Sequence, residues 1–310
     1  RPPVATTAHS TGAAPAPGGA AALPWAAMRA RAPASAANLG PGFDVLALAV
    51  DRYVEVDIEP AGRLVVRAEG EGAELADDAG HLAARVAISV VGHDRLSITV
   101  RSEIPVARGL GSSAALSVAA AAAAGSKDPL SVAARVEGHP ENAAASVVGG
   151  LVAATMVRGA VRAVRLPFDT GLGLVAVVPD RPLPTARARQ VLPQQVARAD
   201  ATFNLGRMAL LLAGLADRAL LVKEATEDRL HQDYRMPLFP EAPQLLARFA
   251  GAGSLAACWS GAGPTLLGLC DGGDTGRVCA EMEKGLADAG VPGQVLVLRP
   301  DLEGLVVDAL

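Results

Sequence analysis

The sequence predicts an α/β fold of the α+β kind, divided into two parts that each combine sheet and helix. Three observations carry this expectation. Tyr53–Glu59 and Leu96–Arg101 alternate apolar with charged or hydroxyl side chains, the period of a half-buried strand, and helical stretches separate such segments along the whole chain. The length of 310 residues allows two cores at roughly 150 residues per domain. A hydrophobic fraction of 51% against 19% charged residues excludes a disordered chain.

Residues 1–27 are dominated by Ala, Pro, Gly and Thr without a periodic apolar face, which predicts a disordered tail or extension. The Ala20–Leu23 run, stopped by Pro24, is too weak for a targeting peptide. Met28, the first methionine, directly precedes the first strand-like segment. In the first part, taken as 28–168, Val54, Val56 and Ile58 face one way and Glu55, Asp57 and Glu59 the other; Leu96, Ile98 and Val100 repeat the pattern. Helices are expected at Leu82–Val91, Ser112–Ala124 and Leu130–Glu137, the last stopped by Gly138. The second part, 169–310, opens with a buried-strand run, Leu174–Val178, closed by Pro179. A long helical region follows from Thr202 to Ala225, carrying Leu205, Met208, Leu212 and Leu215, and then a helix at Pro243–Phe249. A strand to Ser260, a glycine turn, a strand at Thr265–Cys270, a helix at Arg277–Ala289 and a strand at Gln294–Leu298 complete it, an order that suggests a ferredoxin-like α/β sandwich.

Charge excludes other classes. With 28 basic and 32 acidic residues and no long run of either sign, a general nucleic-acid or anionic-membrane binder is not expected, so any bound anion must be held locally. The longest apolar-looking stretch, Ala143–Val157, contains Ser146, Gly149, Gly150 and Thr155 and is too short to span a membrane, which predicts a soluble protein. Cys258, Cys270 and Cys279 are odd in number and lack CxxC spacing, arguing against a disulfide framework or a cysteine zinc site and for a reducing cytoplasm.

The strongest local signal is Pro105-Val106-Ala107-Arg108-Gly109-Leu110-Gly111-Ser112-Ser113-Ala114-Ala115, which follows a strand and opens an Ala-rich helix. Glycines let the backbone approach a phosphate, and the first free N–H groups of a helix hydrogen-bond it where the helix dipole favours negative charge. Ser112 and Ser113 add hydroxyls that can cap the helix, bond phosphate oxygens or reach a magnesium ion. The loop is neither a GxxxxGK[ST] nor a GxGxxG motif, and a tight strand-to-helix connection with a serine cap explains it equally well.

Taken with two further motifs, the loop resembles the ATP-binding motif of the GHMP small-molecule kinases. These are Ala32-Pro33-Ala34-Ser35-Ala36-Ala37-Asn38-Leu39-Gly40-Pro41-Gly42-Phe43-Asp44 and Ser260-Gly261-Ala262-Gly263-Pro264-Thr265, and Asn-Leu-Gly-Pro-Gly-Phe-Asp is similar to the homoserine kinase family within that superfamily. The resemblance runs from about Arg29 to the C-terminus. It implies the two-domain GHMP kinase fold, with an N-terminal ATP-binding domain (28–168) like the second domain of ribosomal protein S5 and a C-terminal ferredoxin-like α/β sandwich (169–310). It further implies ATP- and Mg²⁺-dependent phosphorylation of L-homoserine to O-phospho-L-homoserine on the route to threonine. The partners implied are ATP and homoserine, with no nucleic acid or membrane, and a homodimer is compatible with it.

The same resemblance distributes roles. Pro105 through Ala115, with Gly261 and Gly263, would contact the nucleotide. Glu137 lies late in its predicted helix, where the dipole disfavours a negative charge, so helix stability does not explain it; the match makes it, with Ser112, the magnesium ligand. Arg189 and Arg235 match the substrate clamp, since the planar fork of arginine suits a carboxylate. Asn38, Asp44, His139 and Asn142 match substrate-side positions, although Asn and Asp beside Gly40, Pro41 and Gly42 are also ordinary turn residues. No general base is implied. The chain departs from the family pattern at Ala36, His81, Glu141, Pro184 and Asp233, where Ser, Asn, Asp, Ser and Pro are usual. The alternatives are a mevalonate- or shikimate-type GHMP kinase, and a non-catalytic binding protein of the same fold.

Overall fold

The structure, a computed structural model, describes residues 27–75 and 77–310. All of the expected tail but Ala27 lies outside the described residues; the Ala27 carbonyl accepts the Leu310 N–H at 3.0 Å. The first sheet begins with β1 (Met28–Ala37) and the long β2 (Leu46–Pro60), which pair antiparallel. β3 (Val65–Gly70) and β4 (Leu96–Ser102) run parallel, so a crossover must join them, and α1 (Leu82–Val91) provides it. Helices α2 (Ser112–Ala123), α3 (Pro129–Glu137) and α4 (Glu141–Val148) follow, then the hairpin β5 (Leu151–Val157) and β6 (Ala160–Arg165). β2 divides its length between two partners, pairing through Val54–Pro60 with β4 and through Leu46–Leu48 with β5.

The core of this part depends on the alanines of α2. That helix packs on β1, β2, α1, α3 and α4, and nearly all of its residues from Ala114 to Ala123 are buried. A helix surrounded on every side cannot be amphipathic, and methyl side chains let its backbone lie close to the sheet. The helix axis consequently ends on the glycine-rich loop, with its N-terminus directed at a cleft.

On the outer face of the sheet, Asp57 lies directly across from Arg29 and diagonally from Arg101. Arg29 donates two bonds to its carboxylate at 2.7 and 2.8 Å, and Arg101 one at 2.9 Å. The hydrogen bond from Arg29 holds the Asp57 carboxyl below its ordinary pKa, with burial opposing. The stabilisation this implies is present above the unfolded-state pKa of about 3.9 and is lost as pH falls through the lower folded-state value. Asp57→Asn is therefore expected to cost about 1 kcal/mol at pH 7, the scale of a half-exposed ion-pair network. Chemical denaturation as a function of pH should show the difference from wild type shrinking as pH falls below the unfolded-state value.

The second sheet contains β7 (Leu172–Pro179), β8 (Ala256–Trp259), β9 (Leu266–Asp271) and β10 (Gly293–Leu298), all antiparallel in the order β10-β7-β9-β8. In chain order this is 4-1-3-2, the arrangement of the expected ferredoxin-like sandwich. Between β7 and β8 lie α5 (Thr185–Gln190), α6 (Arg198–Ala216), α7 (Gln232–Arg235) and α8 (Ala242–Gly251); α9 (Thr275–Asp288) packs on α8 and on the sheet. Phe239, Phe249, Trp259, Val278 and Met282 form its core. The last strand, β11 (Val306–Ala309), returns to pair with β1 in the first sheet.

One expected helix is too long. The region Thr202–Ala225 is helical only to Ala216, because Asp217 takes an extended conformation and its carboxylate accepts the Ala219 N–H at 3.0 Å, starting a separate 3₁₀ turn. Leu205, expected on the apolar face, is 72% exposed. Among the described residues no helix is long and apolar enough to cross a membrane.

Candidate active site

The glycine-rich loop is clamped from both halves of the chain. Ser35 N–H donates to Leu110 O at 3.1 Å; from the other half, Leu183 N–H donates to Ala107 O at 2.9 Å, and Ser260 Oγ donates to Gly109 O at 2.7 Å. Gly109 (φ +84°) and Gly111 (φ +67°) are left-handed, and a Cβ would strike the Ser260 carbonyl at the first and Ser35 Oγ at the second. The loop thus needs glycine for two reasons, conformation and close approach. The first bond of α2 runs from Ala115 N–H to Gly111 O, so the N–H groups of Ser112, Ser113 and Ala114 lie ahead of the intrahelical ladder. The expected serine cap is absent: Gly111 occupies the cap position without a side-chain bond, and Ser113 Oγ instead donates to Glu137 Oε1 at 2.5 Å. The hydroxyl beside Glu137 is thus that of Ser113, where Ser112 was expected.

The connection after β1 is strained in a purposeful way. Asn38, Leu39 and Asp44 all have positive φ, which for residues other than glycine persists only where the surroundings enforce it. Asn38 does the enforcing. Its Nδ2 donates to Gly261 O at 2.8 Å and its Oδ1 accepts the Asp44 N–H at 3.0 Å, so both ends of the amide are used within the protein. Asn38 shapes the turn, and Asp44 is the group the turn delivers.

Asp44 receives both terminal nitrogens of Arg189, at 2.6 and 3.0 Å. Arg235 stands beside this pair but deeper, 1% exposed. Its Nη1 donates to Gly261 O at 2.9 Å and lies 2.9 Å from His231 Nδ1; its Nε is 3.4 Å from Ala188 O. Among the described residues Nη2 has no hydrogen-bond partner, which leaves its donors for a bound anion. Burial, reinforced by the charge of Arg189, lowers the Arg235 pKa to about 10. An incoming carboxylate would relieve that cost.

The start of α4 completes the wall. His139 Nδ1 lies 2.7 Å from Glu141 Oε1, an approach held by charge rather than by a well-aligned hydrogen bond. Burial disfavours the His139 imidazolium, but Glu141 outweighs it and raises the pKa above the ordinary value. Asn142 spends its amide on Ser35 and Glu141, and Glu141 Oε2 is buried without a partner.

These groups meet in one cleft, lined by Asn38, Asp44, Ser112, His139, Asn142, Arg189 and Arg235 together with Glu137 and Gly261. Of the loop residues, Ala107, Arg108, Gly109, Gly111, Ser112 and Ser113 reach the cleft. Pro105, Leu110, Ala114 and Ala115 are buried behind it, and Gly263 packs against the Trp259 ring. A second cavity, more apolar and lined by Val54, Leu82, Val100, Val106, Leu116 and His81, adjoins the first through Ala107, Ser112, Ser113 and Thr185. His81 Nδ1 caps α1 by accepting the Ala83 N–H at 3.2 Å. Thr185, which also lines the cleft, is not among the expected site residues, and neither is Ser35, whose Oγ donates to Asn142 Oδ1 at 2.8 Å.

Comparison with known proteins agrees with this architecture. The family model "GHMP kinases N terminal domain" matches residues 74–150, and "GHMP kinases C terminal" matches residues 208–288. The homoserine kinase of Streptomyces coelicolor is 41% identical over 271 residues, covering 82% of this chain and 87% of its own. That of Thermus thermophilus is 40% identical over 278 residues, covering 86% and 94%. The crystal structure of homoserine kinase from Cytophaga hutchinsonii superposes with a TM-score of 0.80 at 27% identity, over 92% of this chain and 98% of that one. A glycine-rich loop at a helix N-terminus, an acid–base lined cleft beside it and similarity at this level over more than four fifths of the chain lead to one conclusion: the chain belongs to the homoserine kinase family of the GHMP kinases.

Proposed function

We propose that this chain transfers the γ-phosphoryl group of ATP to the hydroxyl of L-homoserine, giving ADP and O-phospho-L-homoserine. The observation that carries the reading is the convergence of Asp44, Arg189 and Arg235 on the cleft that also contains the α2 N-terminus. An α-amino acid is a zwitterion: its ammonium suits Asp44, and its carboxylate suits the forks of Arg189 and Arg235. Mevalonate and shikimate carry a carboxylate but no ammonium, so they leave Asp44 without a counter-ion of their own. The partnerless Glu141 Oε2 is a further acceptor for the amino-acid side of the cleft.

On this reading residues 28–168 bind the nucleotide. The free N–H groups of Ser112–Ala114 hold phosphate oxygens, and the apolar cavity beside His81 takes the base. Residues 169–310 supply the arginine clamp. The Ser113 hydroxyl and Glu137 carboxylate are hard oxygen donors in contact with each other, the ligand type that suits Mg²⁺ shared with phosphates. Bound there, the ion would neutralise phosphate charge. The substrate hydroxyl oxygen forms the new P–O bond as the bond from the γ-phosphorus to the β–γ bridging oxygen breaks, and the hydroxyl proton is released. Such a transition state is loose and asks chiefly for alignment and charge stabilisation. Two of the carboxylates at the cleft are already engaged, Asp44 by Arg189 and Glu137 by Ser113, which agrees with a mechanism that needs no dedicated base. On this reading the reaction belongs to the cytoplasm, where ATP is supplied.

Incubation with ATP, Mg²⁺ and L-homoserine should yield ADP and a phosphate monoester in equal amounts by ³¹P NMR; ADP accompanied only by inorganic phosphate would overturn the reading. Gly109→Ala tests the loop separately. The added methyl collides with the Ser260 carbonyl in a left-handed conformation, so the ATP KM should rise at least about tenfold, the equivalent of 1.4 kcal/mol. An ATP KM within twofold of wild type would remove the loop from the nucleotide site.

A further inference from the structure

His231 is fully buried and is one of the residues that the family motifs leave without a role. Its Nε2 lies 2.8 Å from Gly40 O, in the turn that delivers Asp44, and its Nδ1 lies 2.9 Å from Arg235 Nη1. A carbonyl can only accept and a guanidinium can only donate, so these two partners fix one neutral tautomer, with the proton on Nε2 and the lone pair on Nδ1. The ring also stacks on Phe43, with centroids 5.1 Å apart and planes at 24°. Phe43 in turn lies under both arginines, 5.7 Å from Arg189 Cζ and 5.5 Å from Arg235 Cζ.

We infer that His231 is a positioning residue for the amino-acid substrate: as a neutral relay it ties the Asp44 turn to Arg235, so that the ammonium-binding and carboxylate-binding sides of the clamp keep one spacing. Three features support this. Arg235 and Asn38 share the Gly261 carbonyl as acceptor, so the histidine closes a ring of contacts from Gly40 through Arg235 and Gly261 back to Asn38. Asp228 accepts the backbone N–H groups of Leu230, His231 and Gln232 and a side-chain bond from Asn204, which anchors the backbone that carries the ring. Burial pushes the His231 pKa down to about 4, with Asp228 opposing and Arg235 assisting, so the lone pair on Nδ1 is available at neutral pH. A protonated ring would instead oppose Arg235 with a second cation.

The inference rests on the homoserine reading, and the experiment separates the two. His231→Phe keeps the flat ring and its stack on Phe43 but removes both nitrogens; His231→Gln keeps one acceptor and one donor on a planar group. For wild type and both variants, kcat and the KM values for homoserine and ATP are measured after confirming the fold by thermal melting. The expected result for His231→Phe is a homoserine KM raised about 10- to 100-fold, with the ATP KM and kcat within about threefold of wild type; His231→Gln should restore most of the loss. A folded His231→Phe with an unchanged homoserine KM, or with all three constants moved together, would overturn the inference. Wild type that does not turn over homoserine at all would overturn the underlying reading instead. ¹⁵N NMR of the histidine rings gives a result independent of mutant folding. A neutral, Nε2-protonated His231 whose Nδ1 signal moves when homoserine is added supports the relay, and an Nδ1-protonated ring or an unmoved signal contradicts it.

Discussion

Glu137→Gln is expected to lower kcat about 10²- to 10³-fold at saturating ATP and Mg²⁺ while leaving the fold as stable as wild type or slightly more so. The first half follows from charge: a group that stabilises developing phosphate charge in a site of this kind is commonly worth that factor. The second half follows from position. Glu137 is the last residue of α3, where Gly138 closes the helix with a left-handed cap, and a carboxylate at a helix C-terminus opposes the dipole. Replacing it by the isosteric amide removes that conflict and keeps an acceptor for Ser113. Steady-state kinetics with varied Mg²⁺, together with a melting curve, check both halves; full activity in the variant would remove Glu137 from the metal site.

The second large effect is expected from Arg235→Ala. Truncating one partner of a buried, hydrogen-bonded charge pair costs about 2–5 kcal/mol, so kcat/KM for homoserine should fall roughly 30- to 5000-fold. Arg189→Ala should lose less, because the Arg189 side chain is 36% exposed and already neutralised by Asp44. The ATP KM should not move in either variant. Kinetics with homoserine as the varied substrate distinguish these outcomes, and an unchanged homoserine KM for Arg235→Ala would remove the clamp.

Much of the fold was legible because its elements obey simple periods. Leu82–Val91 and the half-buried alternation of Leu96–Arg101 appear in the structure nearly as expected, and the strand and helix order of the second half produces the 4-1-3-2 sheet. Where period alone was used without end signals, the reading failed: Thr202–Ala225 runs past Asp217, whose side chain starts a new turn. The short α5 and α7 carry Arg189 and Arg235, yet six- and four-residue helices have too few turns to show a periodic face.

The candidate site was legible as a set of positions and less so as a set of roles. Asn38 was expected to face the substrate, and nothing local reveals that Gly261, 223 residues away, takes its amide. Ser112 and Ser113 are indistinguishable in sequence; the helix turn decides which one reaches Glu137. His231 stands four residues before Arg235 in the sequence, but its value depends on the Gly40 carbonyl, which only the fold brings within 2.8 Å.

The most direct test of the central claim is acceptor specificity. ADP release by the purified protein with ATP and Mg²⁺ would be compared for L-homoserine, mevalonate, shikimate and no acceptor at equal concentration. A clamp built from Asp44 opposite two arginines predicts turnover with homoserine and background rates with the other three. Preferred turnover of mevalonate or shikimate, or no turnover despite tight ATP binding, would contradict it.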